Sequence, residues 1–180
     1  MDPTELQSAL ADHPLFRGLA PEGIAGFAER GDLIETAVGD ALVREGQDAD
    51  SLLVVLSGEL KVTKKGSRGF PSELGKVSSG AVLGEVGLLG GGKRTATAKA
   101  VEASRAFSLS REDFEAMVDA GDLAARQVLL RLARTMAERQ QATSERLAEM
   151  AEKVEHPDGT MRLSVTEIRE RLLQAVSDGI

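Results

Sequence analysis

The sequence predicts a mainly β domain with helices at both ends: a jelly-roll β-roll, or double-stranded β-helix, with short helices before it and one long helix after it. Three observations lead there. Between Gly31 and Leu109 short runs rich in Val, Leu, Ile and Thr recur, separated by turns that contain Gly. On either side of that stretch the apolar spacing changes to the three-and-four step of helices. The 180 residues suffice for one domain plus an appendage, not for two full domains.

The elements follow in order. Thr4 to Ala11 alternates polar and apolar residues and is stopped by His13-Pro14. Pro21 then opens a helix to Glu29, at the first helical position, where its missing N–H has no partner to lose. Leu15, Phe16, Leu19, Ile24 and Phe27 are the apolar contacts of this region. Strands are expected at Leu33–Ala37, Ala41–Arg44, Leu52–Leu56, Glu59–Thr63, Ser72–Val77, Ala96–Val101 and Arg105–Leu109. Ser110 and Asp113 then form a capping-box-like pair for a helix that buries Phe114 and Met117. Gly121 ends it, and Asp122 caps the next.

That next helix is expected over Leu123–Val154, roughly 45 Å long at 1.5 Å per residue. Its stripe is Leu129, Leu132 and Met136, a polar break, then Leu147, Met150 and Val154. A stripe of this spacing suits a seam between two copies, so a homodimer through residues 123–154 is expected. His156-Pro157-Asp158-Gly159 is a turn, and Ser164–Val176 a last short helix. The expected organisation is a roll with its flanking helices over 1–121, the long helix over 122–155 and an extension over 156–180.

Composition removes several kinds of chemistry. Cys is 0, which excludes disulfides, thiolate metal sites and Cys nucleophiles. Only His13 and His156 exist, so a multi-histidine metal site is excluded and a cupin-like enzyme is poorly supported. The net charge of -7 argues against binding nucleic acid by charge alone. No long apolar run or charged leader is present, so neither a membrane span nor a signal peptide is expected, and the protein is placed in the cytoplasm.

The stretch that carries chemistry runs from Gly84 to Ala98, GEVGLLGGGKRTATA. A short helix beginning after Gly84 would leave its first N–H groups free for an anion. The Gly90-Gly91-Gly92 run lets backbone approach a ligand. Arg94 matches a phosphate in a bidentate fork, and Thr95 adds a hydroxyl beside it. Glu85 would repel a phosphate, and makes sense facing a neutral donor such as a ribose hydroxyl. Together these describe a nucleotide of low charge. Gly87–Lys93 also fits the G-x-x-x-x-G-K of a phosphate loop. However, Arg94 stands where that motif needs Ser or Thr for magnesium, and no β-α-β pattern surrounds it.

These residues resemble the phosphate-binding cassette of the cyclic nucleotide-binding domain family, Gly-Glu-apolar-small-Leu, a loop, then Arg-Ser/Thr/Ala-Ala. The resemblance extends to Pro14-Leu15-Phe16, Gly39-Asp40, Glu45-Gly46, Leu56-x-Gly58-Glu59-Leu60-Lys61-Val62 and Gly80, covering about Leu6 to Glu155. It implies ribose contacts from Gly84 and Glu85 within the Gly84-Glu85-Val86 run, phosphate contacts from Arg94 and Thr95, and apolar base contacts from Val62 and Leu74. Arg131–Ala151 resembles the long helix of the bacterial cAMP receptor branch. By that likeness Thr143 and Ser144, in the polar break, contact adenine from both copies of a dimer.

The resemblance therefore implies a non-catalytic sensor with no cofactor, its ligand a cyclic mononucleotide. cAMP is favoured by the long helix. cGMP is kept open because Arg94-Thr95-Ala96-Thr97 resembles the cassette of cGMP-dependent kinases. The alternatives are a truncated transcription regulator of the cAMP receptor type, or an interaction module with an empty pocket. His156-Pro157-Asp158-Gly159 and Thr166-Glu167-Ile168 resemble the start of that branch's DNA-binding end, but no recognition helix or basic footprint follows. DNA binding by this chain is not expected.

Overall fold

The run Leu52-Leu53-Val54-Val55 is continuously apolar because its strand is covered on both faces. Alternate residues point opposite ways in a strand. Leu52 and Val54 accordingly join a core under the helices, while Val55 joins a smaller core inside the roll. The computed structural model describes residues 3–66 and 70–153, with side chains through Glu149. The chain divides into two compact units, Met1–Ala133 and the part from Arg134 onward.

In the first unit the strands form two antiparallel sheets. One has the order β1 (Asp32–Thr36), β8 (Ser104–Ser110), β3 (Ser51–Ser57), β6 (Val82–Leu83); the other β2 (Ala41–Val43), β7 (Thr97–Ala100), β4 (Glu59–Lys65), β5 (Pro71–Ser78). Strands distant in sequence are neighbours, as a jelly roll requires. Phe107 on β8 pairs with Leu33 on one side and Val54 on the other. Its ring meets Phe16 edge-on, and Phe16 meets Phe27 with centroids 5.0 Å apart. That aromatic group joins helices α1 (Pro3–Asp12) and α2 (Pro21–Arg30) to the first sheet. The inner core is Val55, Leu60, Ala98 and Ala100, with Val62, Val77 and Leu83 packed against it.

Every expected strand forms, with ends shifted by a residue or two. The two-residue β6 is additional. It pairs with Leu53 and Val54 and is too short to show a periodicity of its own. Helix α4 (Arg111–Asp119) is capped as the sequence indicates: the Asp113 N–H donates to Ser110 Oγ at 3.0 Å. Gly121 follows in the left-handed conformation, and Asp122 Oδ1 accepts the Ala125 N–H at 3.0 Å.

Helix α5 (Leu123–Lys153) differs from expectation in how it uses its stripe. Ala124, Ala125, Val128 and Leu132 are buried in the core of their own unit, with Leu129 packed against them. Leu132 is therefore not free for a seam between copies, because the first turns of the helix cover the roll. Arg131 Nη1 donates to the Leu15 carbonyl at 2.9 Å, fastening that half. Leu130 and Leu147 are exposed. Val154, the turn at His156–Gly159, the helix at Ser164–Val176 and the extension over 156–180 lie outside the described residues, as does the Met150 side chain. Among the described residues no helix is long and apolar enough to cross a membrane.

His13, just past the end of α1, is buried, and its Nδ1 accepts the Leu15 N–H at 3.1 Å. Burial lowers its pKa below the ordinary 6.5, against an upward pull from the Ala81 and Gly80 backbone. Between the folded value and 6.5 the unfolded chain binds more protons, so stability there rises with pH. Thermal melts should therefore show Tm falling as the pH drops from about 7 to 5.5. His13→Asn keeps an acceptor for Leu15 and should flatten that slope. An unchanged slope would assign the effect to other groups.

Candidate functional site

Strand β6 passes into helix α3 (Glu85–Gly90) through Gly84, whose φ of +85° is in the left-handed region that favours glycine. Space demands glycine here as well: a Cβ would meet Arg94 Nη1 and lie 2.6 Å from the Ser51 carbonyl oxygen. Helix α3 docks through Gly87 and Leu88, both buried, Leu88 entering the main core. A Cβ on Gly87 would meet Ala49, so α3 sits directly on the β2–β3 loop.

The glycine-rich loop after α3 is fastened to that same β2–β3 loop. The Ala49 N–H donates to the Gly92 carbonyl at 3.0 Å. The Arg94 N–H donates to Gln47 O at 2.8 Å, and Gly46 N–H to Arg94 O at 2.9 Å. Thr97 Oγ1 accepts the Glu45 N–H at 3.0 Å. Lys93 pairs with Asp48 at 2.6 Å, but both are exposed and such a pair contributes little. Behind α3, Arg111 donates to the carbonyls of Ala49 (2.9 Å) and Gly87, while its own N–H donates to Asp50 O at 2.7 Å.

Arg94 is the unusual member. It is only 8% exposed, whereas arginines are rarely buried without pairing. Nη2 donates to Ser51 Oγ at 2.8 Å; Nη1 is buried with no hydrogen-bond partner among the described residues. Burial lowers its pKa below the usual arginine range, partly offset by the negative charges of Asp50 and Glu85. A desolvated cation with a spare donor, lying under a glycine at the start of a helix, is suited to an anion with a free oxygen. An open cleft beside the cassette, lined by Asp48, Asp50, Arg111, Glu112 and Asp119 among others, does not include Arg94 and carries more acid than base, which disfavours an anion there.

Residues 33–120 match the family described as "Cyclic nucleotide-binding domain". This part of the chain belongs to that family. The chain is 31% identical over 125 residues to the cyclic AMP receptor protein of Thermus thermophilus, covering 69% of this chain and 58% of that protein. It is 24% identical over 145 residues to a CRP-like cAMP-activated global transcriptional regulator of Mycobacterium tuberculosis, covering 81% and 63%. The crystallised N-terminal domain of a transcriptional regulator from Streptomyces coelicolor is similar with a TM-score of 0.62 at 28% identity, covering 76% of this chain and 95% of that one. The matched segments thus span 58–63% of the two curated relatives' lengths. The roll is a domain of that family, similar to those of CRP-like regulators.

In this cyclic nucleotide-binding domain, Gly84, Glu85 and Arg94 come together at the start of α3. Val86 is exposed on α3, and Thr95 is exposed beside Arg94. Val62 packs against the inner core. Leu74 is 60% exposed, because the β4–β5 register slips between Val62 and Thr63: Val62 pairs with Gly75 and Thr63 with Glu73, which leaves Leu74 without an opposite residue. Thr143 and Ser144 belong to the second unit, where both are exposed and Thr143 Oγ1 donates to the Arg139 carbonyl at 2.8 Å. Asp50, Ser51 and Arg111 were not marked by the sequence as part of the cassette. Each is placed there by tertiary contacts, and Arg111 reads in sequence only as the start of a helix.

Proposed function

We propose that this chain is a non-catalytic sensor of cyclic mononucleotides, with cAMP as its ligand, and that two copies pair through α5. The observation that carries the ligand class is the buried Arg94 guanidinium, one arm hydrogen-bonded and the other without an acceptor, beneath Gly84. A cyclic phosphate supplies the missing acceptor and a single negative charge. Glu85 takes the 2′-hydroxyl of the ribose, Thr95 adds a donor to the phosphate, and Val62 and Leu74 flank the base. The adenine assignment rests on the names of the two curated relatives and on Thr143 and Ser144. Pairing is supported by Leu130 and Leu147, 58% and 61% exposed on the same helix. An output through DNA is not part of this reading.

Calorimetric titration of the purified chain with cAMP and cGMP tests the proposal, together with light scattering for the dimer. The expected results are a dimer, saturable heat with cAMP, and weaker cAMP but unchanged cGMP binding in the Thr143→Ala/Ser144→Ala variant. Equal losses for both nucleotides would remove the case for adenine. No heat with either would leave a folded interaction module.

A further inference from the structure

Building on that nucleotide reading, we propose that Ser51 is a positioning residue for Arg94: its hydroxyl, oriented by Asp50, holds one arm of the guanidinium so that the other is presented to the ligand phosphate. Ser51 begins β3 and is fixed in the sheet opposite Ser110. Its backbone lies against Gly84. Ser51 and Gly84 thus both lie against the guanidinium.

A serine hydroxyl both donates and accepts. Here Ser51 Oγ donates to Asp50 Oδ1 at 3.4 Å and accepts from Arg94 Nη2 at 2.8 Å. The proton points toward the exposed carboxylate, which turns the oxygen lone pairs toward Arg94. Because the guanidinium is a rigid planar fork, fixing Nη2 also fixes the direction of Nη1. Without the hydroxyl, both terminal nitrogens would be buried without an acceptor. The side chain would relieve this by turning to Asp50, whose charge already acts on it, and a direct ion pair there would compete with the phosphate.

The test compares cAMP with adenosine, which carries the same base and ribose but no phosphate, on the 180-residue chain. Calorimetry and NMR titration follow the two ligands. Ser51→Ala should weaken cAMP roughly tenfold while adenosine stays within about twofold. Ser51→Thr, which keeps a hydroxyl and suits a strand, should restore cAMP to within about threefold. Wild-type cAMP affinity in Ser51→Ala, or equal weakening of both ligands, would overturn the positioning role. A wild-type chain that binds cAMP no better than adenosine would instead overturn the phosphate reading itself.

Discussion

Arg94→Ala should nearly abolish cyclic nucleotide binding while the chain stays folded. The lost charged contact is worth about 2–4 kcal/mol in a site shielded from water, roughly a 30- to 1000-fold rise in Kd. The fold should survive because the guanidinium is a desolvated cation with one unfilled donor, so its removal takes away an unfavourable burial along with one hydrogen bond. Its backbone bonds to Gln47 and Gly46, which tie the loop down, do not depend on the side chain. Circular dichroism and calorimetry check the two halves separately. Wild-type affinity in a folded variant would mean that the phosphate is held elsewhere.

Gly84→Ala should damage both stability and binding. An alanine at φ +85° is strained by about 1–2 kcal/mol. The added Cβ also meets Arg94 Nη1 and stands 2.6 Å from the Ser51 oxygen, so either α3 shifts or Arg94 leaves its place. At this chain length each kcal/mol lowers Tm by about 2–4 °C, so a drop of several degrees is expected, with Kd at least about tenfold weaker. Gly90→Ala is the internal comparison. It ends the helix that Gly84 precedes, without a positive φ and with open space where the Cβ would go. It should bind and melt like wild type. If the two variants behave alike, the close approach of Gly84 to Arg94 does not matter.

The contrast between Gly84 and Gly90 also marks what a linear reading reaches. The cassette stands out because its ingredients are consecutive: Gly84, Glu85, three glycines and Arg94 within eleven residues. The strands stand out as short apolar runs bounded by glycine turns, as in Leu52 to Val55, which is buried on both faces. What surrounds Arg94 comes from 43 residues away in Ser51, and what clamps α3 comes from 24 residues away in Arg111. Neither leaves a local trace, since a serine opening a strand and an arginine opening a helix are ordinary choices. The long helix shows a different limit. A three-and-four stripe declares that a face is covered without saying by what, and Leu132 is covered by its own roll. Leu74 shows a third: a one-residue slip in the β4–β5 pairing changes which way a side chain faces, and nothing in the local composition announces it.

The most direct measurement is a crystal structure of the chain grown with cAMP. The account predicts the cyclic phosphate within hydrogen-bonding distance of Arg94, drawing on the nitrogen that lacks an acceptor, with Ser51 still holding the other and Glu85 on the ribose. A nucleotide bound away from the Gly84 turn, with Arg94 still buried against Ser51 and its second arm unfilled, would contradict it.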